Sequence, residues 1–571
     1  MFMISMVMAK SYPSAKTLVE DGVPGRVHVK DATLYSFSEE ARECASNFMG
    51  WADLASNPPC AVADIQSLAN VFINRGMKLA ILIGQGGSTQ AAMTMTKYNR
   101  PDSNGMQFRV LDSDSPVRLR KILSEADPRT TVVIVSSKSG GTLEMRSYLN
   151  AIRGAFSSVL TPDEFAQHLV AITDPGSALA EQAQEEGWAG LLYGEPTVGG
   201  RFSALSVFGL FPAALTGINL ASLMERARDA EFACCKNSED NPAVQLAAFL
   251  YENWLAGRDK FAYVTQKRGR VLGLWIEQLV AESVGKKGVG ILPQIETDTL
   301  LLRRDLGDRA VVTYRTRVNA WDDASEFQRA LDCISPDFPR VDLELDGVED
   351  LAEHFVLWEY ATAMCGYLMQ VCPFDQPDVA SAKAKVLEIL EAGLPEPDAT
   401  ENFSLGSIEG VVEMRLSDCC AQATDLHSAL RGLIGSLRLG DYFAINAFLP
   451  FTGEGRCEAL ESMRHQVASK CKIMSCLEIG PRYLHSTGQL QKGGANHGVF
   501  LIISADEARD IPLVNEKADS LGQLAKAQAI GDYSILAERN RRCLHLHLPD
   551  NSGVTLRYLS NALARVLSEL R

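Results

Sequence analysis

Arg201 stands in the run Val198-Gly-Gly-Arg-Phe-Ser203, beside two glycines. A guanidinium presents a rigid fork that binds an oxyanion bidentately, and glycines on the same turn remove the side chains that would hold a small anion away. A second run, Ser136-Ser-Lys-Ser-Gly-Gly-Thr142, follows an apolar stretch that predicts a strand and opens a segment that predicts a helix. Hydroxyls of Ser137, Ser139 and Thr142 and the backbone N–H groups around Lys138 would converge there at the positive end of the helix, which suits a phosphate. The run has neither the Gly-Lys-Ser/Thr ending of a nucleotide P-loop nor a Gly-x-Gly-x-x-Gly, so it points to a monophosphate. Gly84-Gln-Gly-Gly-Ser-Thr89 repeats the arrangement after another apolar run and adds Gly87 and Ser88 to the candidates. Both turns also fit a plain strand-to-helix connection.

Two further segments carry ionisable groups. Trp275-Ile-Glu-Gln-Leu-Val-Ala-Glu-Ser283 reads as a helix running into Gly285 and the pair Lys286-Lys287, with Glu282 in its last turn. The negative end of the helix dipole favours the protonated carboxyl there, while the lysines act the other way. Pro373-Phe-Asp-Gln-Pro377 closes one helical stretch and opens another, which carries Lys383. On these properties alone, Glu282 and Lys383 also fit solvated helix positions.

The elements that must hold these residues follow from periodicity. From about residue 78, short apolar runs alternate with Gly- or Ser/Thr-rich turns and amphipathic stretches, the pattern of parallel α/β units. Leu79 to Ile83, Val132 to Val135 and Leu169 to Thr173 predict strands. Met145, Tyr148, Leu149, Ile152 and Phe156 recur at helical spacing. A second series starts at Phe261 to Val264 and Ala310 to Tyr314 and leads into a helical stretch from about 348 to 390, stopped by Gly393-Leu-Pro-Glu-Pro397. Tyr442 to Phe448, Ile473 to Leu477, Val499 to Ile503 and Leu544 to Leu548 predict a further α/β unit. The expected organisation is a 1–59 N-terminal extension, α/β domains over 60–235 and 236–400, and a C-terminal α/β unit over 401–571.

A chain of 571 residues with 46% hydrophobic and 22% charged residues has ordinary globular composition and needs more than one core. Its formal charge of −16 argues against a nucleic-acid surface, so an anionic ligand must be held by a local cluster of donors. The thirteen cysteines form no Cys-x-x-Cys, which indicates reduced thiols and neither a zinc ribbon nor a disulfide framework. No run approaches the ~20 apolar residues of a membrane span. A cytoplasmic protein without nucleic-acid or membrane partners is expected.

Taken together, these motifs resemble, in order, those of the glucose-6-phosphate isomerase family, which is built from two sugar isomerase (SIS) domains. The matching segments are Ser137-Lys-Ser-Gly-Gly-Thr142, Gly199-Gly-Arg-Phe-Ser203, Glu282-Ser-Val-Gly-Lys-Lys-Gly288 and Pro373-Phe-Asp-Gln-Pro-Asp-Val379 with Lys383. Coverage runs from about residue 60 to 395. Gly480-Pro-Arg-Tyr-Leu-His-Ser-Thr-Gly-Gln-Leu-Gln-Lys-Gly-Gly494 also resembles the C-terminal part of the isomerase half of bacterial transaldolase/glucose-6-phosphate isomerase fusions. The implied fold is α/β, with two SIS-type parallel-sheet sandwich domains plus a C-terminal α/β unit.

The implied reaction is aldose–ketose isomerisation of glucose 6-phosphate and fructose 6-phosphate through an enediol(ate), with no metal or organic cofactor, in a homodimer. The resemblance makes Glu282 the proton-transfer base and Arg201 the group that stabilises the developing negative charge. Ser137, Ser139, Thr142 and the Lys138 backbone would bind phosphate, Gly87 and Ser88 would line the sugar, and Lys383 and Gln376 would assist ring opening and positioning. Many family members carry a ring-opening histidine soon after the base segment, but here none occurs between Glu282 and His354. His354 and His485 are the candidates for that role, the alternative being that no histidine fills it. The alternatives are an SIS isomerase for another phosphosugar and a non-catalytic sugar phosphate sensor. A sensor would need the phosphate loop but no base.

Overall fold

The structure is a computed structural model that describes every residue except 1–3, 9, 100–104, 142, 297–298, 300, 317–323, 452, 514–516 and 571. The chain divides into two compact units, Met1–Asp112 with Glu125–Asp375, and Ser113–Ser124 with Gln376–Arg571.

The first unit opens with a short strand, β1 (Met6–Met8), and helices that contribute Leu18, Val23, Tyr35 and Trp51 to its core. Strands β2 (Leu79–Ile83), β3 (Gln107–Leu111), β4 (Thr131–Ser136), β5 (Leu169–Thr173) and β6 (Gly190–Tyr193) make a parallel sheet in the order β3-β2-β4-β5-β6. Every residue of β2, β4 and β5 is buried, as parallel strands covered on both faces require. Two helices leave the carboxyl ends of neighbouring strands: α1 (Gly87–Tyr98) after β2 and α2 (Leu143–Phe156) after β4. A second sheet, ordered β1-β10-β9-β7-β8, contains β7 (Lys260–Thr265), β8 (Leu292–Ile295), β9 (Arg309–Arg315) and β10 (Arg340–Glu344). Only its edge strand β1 runs antiparallel. Helix α3 (Arg270–Val284) follows β7. The next long helix, α4 (Leu351–Met369), is buried along almost its whole length and so packs on all sides as a core helix.

The expected helical stretch over 348–390 is two helices. The first ends at Gln370 in the left-handed conformation, and Pro377 starts α5 (Pro377–Ala392). This helix belongs to the second unit, whose sheet is ordered β11-β12-β16-β15-β13-β14. An antiparallel hairpin, β11 (Ala399–Leu405) and β12 (Ile408–Leu416), adds to parallel strands β13 (Tyr442–Phe448), β14 (Met474–Ile479), β15 (Gly498–Ala505) and β16 (Arg542–Leu548). Helices α6 (Gly488–Gly493) and α7 (Leu521–Glu538) join β14 to β15 and β15 to β16. The second unit has its own apolar core, centred on Phe443, Leu460, Leu501 and Leu544. The mixed α/β class with mainly parallel sheets is as expected. The hairpin is not, because Glu401 and Gly410 stand where apolar residues would keep the two-residue alternation of its strands. Among the described residues, no helix is long and apolar enough to cross a membrane.

Candidate functional site

In the first unit, the turn carrying Arg201, the loop at Gly87 and the end of α3 come together. Arg201 lies on a single 3-10 turn, Gly200–Phe202, and is 2% exposed. Its Nε donates to Ser283 Oγ at 2.8 Å, and its Nη2 donates to the carbonyls of Pro373 at 2.6 Å and Asp375 at 3.0 Å. Its Nη1 lies 3.5 Å from Glu282 Oε1. The turn rests on aromatic rings, with Phe202 stacked on Trp51 at a centroid distance of 4.8 Å and Phe374 beside both. A fork held on three sides cannot follow a moving ligand; it offers a fixed charge.

Glu282 projects from the last turn of α3 and is buried. Gln278, one turn earlier on the same face, donates its Nε2 to Glu282 Oε2 at 3.2 Å. Burial pushes the Glu282 carboxyl above the ordinary carboxylate range, against the pull of Arg201, Gln278 and Lys286. Such a carboxylate accepts a proton more readily than one in water, as a base for carbon acids requires.

Lys286, also buried, completes the frame. Its Nζ donates to the carbonyls of Cys372 at 2.8 Å and Asp375 at 2.6 Å and pairs with the Asp375 carboxylate. Burial and the nearby Arg201 push its ammonium group down, while Asp375 holds it up. The 372–375 segment is therefore fastened by Lys286 and in turn fastens Arg201. Cys44, Cys372 and Asp375 bring three potential metal-ligand atoms within 4.8 Å of one another. The Lys286 ammonium already occupies the carboxylate of that group.

The two Gly-rich loops lie side by side after β2 and β4. A Cβ on Gly87 would sit 2.1 Å from the carbonyl of Gly200, so only glycine allows the start of α1 to touch the Arg201 turn. Ser136 Oγ donates to the Ser88 carbonyl at 3.1 Å, which ties this loop to the neighbouring one. Ser137 is buried; its N–H donates to the Ile172 carbonyl, and its Oγ accepts the Gly140 N–H at 3.1 Å. Gly140 adopts φ of +68°, in the left-handed region that favours glycine. Ser139 is exposed. The Lys138 ammonium turns to Asp174 Oδ2 at 2.6 Å and to the carbonyls of Glu195 and Pro196. It braces the segment leading to Arg201 and leaves only backbone groups for an anion. Thr142 lies outside the described residues.

His354 is engaged elsewhere. It is buried on α4, with Nδ1 2.9 Å from the Tyr314 hydroxyl and Nε2 3.0 Å from the Glu344 carbonyl. A carbonyl only accepts, so Nε2 carries the proton. Tyr314, which accepts from Trp358 Nε1 at 2.7 Å, donates to Nδ1. Burial pushes the ring down to about 4. Both ring nitrogens are committed, which corrects the reading of His354 as a ring-opening group.

Gln376 and Lys383 belong to the second unit, Gln376 at the N-cap of α5 and Lys383 exposed along it. His485 lies there too, at the end of a 3-10 turn, Arg482–His485. Burial and the positive charges of Lys383 and Lys492 push its ring down to about 3.

The phosphoglucose isomerase family model matches residues 72–298, a span that includes Gly87, Ser88, the 137–141 loop, Arg201 and Glu282. The glucose-6-phosphate isomerase of Mycoplasmopsis pulmonis is 30% identical over 391 residues, covering 60% of this chain and 90% of the relative. The chain belongs to the glucose-6-phosphate isomerase family. The enzyme of the same name from a Cyanothece species is 34% identical over 215 residues, which make up 36% of this chain and 40% of that one. Among solved structures, a hypothetical protein from Thermus thermophilus aligns with a TM-score of 0.57 at 24% identity, over 68% of this chain and all of that one. A glucose-6-phosphate isomerase from Chlamydia trachomatis aligns with a TM-score of 0.53 at 16% identity, over 66% and 85%. Those two likenesses concern the fold.

Sequence reasoning did not single out Gln278, Ser283, Lys286 or Asp375 as supports. The spacing of Gln278 from Glu282, one helical turn, was the available signal. The contacts made by residues 372–375 are long-range and left none.

Proposed function

We propose that this chain interconverts glucose 6-phosphate and fructose 6-phosphate through an enediol(ate). The observation that carries the reading is the buried Glu282–Arg201 pair, with the carboxyl raised by desolvation and the guanidinium held by Ser283 and two carbonyls. Glu282 takes the proton from C2 of the open-chain aldose and returns it to C1, and the reverse reaction retraces the path. As the proton leaves, negative charge grows on the sugar oxygens, and Arg201 faces it; one preorganised donor of this kind contributes ~10²–10³ in rate. Ser137, Ser139 and Thr142 with the Lys138 backbone bind the phosphate, Gly87 and Ser88 line the sugar, and Gln376 and Lys383 position it and assist ring opening. The reading includes a cytoplasmic homodimer whose ligand is a sugar phosphate rather than nucleic acid.

The test is a coupled assay with fructose 6-phosphate after EDTA treatment, following glucose 6-phosphate through an NADP-dependent dehydrogenase. Turnover that survives the chelator is expected. Binding of the phosphosugar without turnover would contradict the reading.

A further inference from the structure

The second unit contains a support for α5 whose residues have no part in the reaction described above. Gln376 at the N-cap of α5 provides no side-chain cap, so the backbone donors of the first turn need partners from elsewhere. One comes from Gln489 on α6: its Oε1 accepts the Asp378 N–H at 3.0 Å, and its Nε2 donates to Asp378 Oδ2 at 2.6 Å. Gln489 is fully buried and Asp378 nearly so. Arg539 pairs with the other Asp378 oxygen. The short helix α6 is itself fixed, because Lys492 pairs with the buried Asp532 of α7, and Tyr483 donates to the same carboxylate. Arg541 holds the Lys492 and Gly494 carbonyls at 2.6 and 2.7 Å. Further along α5, Val386, Ile389 and Leu390 pack on Ala527 and Ile530 of α7. Lys383 lies between the polar clamp and this apolar strip, on a backbone fixed at both ends with its side chain exposed.

We infer that Gln489, seconded by Arg539, is a positioning residue for Lys383. By clamping the first turn of α5 through Asp378, it fixes the backbone that carries the lysine. The segment Gly480–Gly494, whose role the sequence left open, thereby acquires a function. The inference rests on the proposed role of Lys383, and a displacement of about 1 Å is enough to cost up to ~10²-fold in rate.

A double-mutant cycle separates the possibilities. Lys383→Ala, Gln489→Leu and the double variant are compared for kcat and KM by the coupled assay, with unfolding curves to confirm the fold. The expected result is a loss in kcat/KM of about ten- to a hundredfold for Gln489→Leu, with the double variant no worse than Lys383→Ala alone. Losses that multiply, or wild-type kcat/KM in folded Gln489→Leu, would overturn the inference. Wild-type turnover in Lys383→Ala would sink the reading of the lysine and this inference with it. Should Gln489→Leu fail to fold, Arg539→Ala, at an exposed position, serves the same cycle. A smaller loss, absent in the Lys383→Ala background, is then expected, and unchanged kcat/KM overturns the inference.

Discussion

Glu282 and Arg201 divide the chemistry between a group whose affinity for protons is raised and one whose charge is fixed. Because burial raises the Glu282 carboxyl, the acid limb of the kcat/KM profile is expected above the ~4.3 of a free glutamate. The active form is the carboxylate, so activity should fall as pH falls through the raised value, before the free-glutamate range is reached. A limb at or below the free-glutamate value would mean that another group controls it. His354 supplies a stability prediction instead. Its folded-state ring sits at about 4, below the 6.5 of the free side chain, so the unfolded chain gains a proton first as pH falls. Stability should therefore be lost between about pH 6.5 and 4 and change no further below that, by up to ~3 kcal/mol from this one group. In His354→Gln, whose amide can give and accept the same two hydrogen bonds, that part of the slope should vanish in urea titrations across this range while turnover persists. A pH dependence identical to wild type would show that the buried network is not as described.

Loops and helix ends do the positioning, and their requirements are steric. The start of α1 touches the Arg201 turn, and Gly87 has no room there for even a methyl group against the Gly200 backbone. Gly87→Ala should push the two apart and, through Arg201, lower kcat by ~10²-fold in the coupled assay. A variant with wild-type kcat would refute the close approach. The same scale shows what sequence could convey. The strand–turn–helix rhythm around 137–142 and 84–89 was legible because fully buried parallel strands are uninterrupted apolar runs. The break of the 348–390 stretch was legible in Pro373 and Pro377. The hairpin Ala399–Leu416 was not, since Glu401 and Gly410 interrupt the apolar alternation of strands that leave one face exposed.

At the scale of the whole chain, the order of motifs carried more information than any one of them. Glu282 and Lys383, taken singly, fit solvated helix positions, and only their succession after the phosphate loop and Arg201 gave them roles. Burial of Glu282 was outside the reach of sequence, because it depends on segments as distant as 201 and 375 closing over α3. His354 was misread for the same reason: its partners, Tyr314 and the Glu344 carbonyl, come from separate strands of the second sheet. The measurement that bears most directly on the account is turnover of fructose 6-phosphate by Glu282→Gln beside the wild type, with phosphosugar affinity determined on both. The account predicts a fall in kcat of at least ~10²-fold, the low end of what a general base contributes, with affinity nearly unchanged. Wild-type turnover by Glu282→Gln would contradict it.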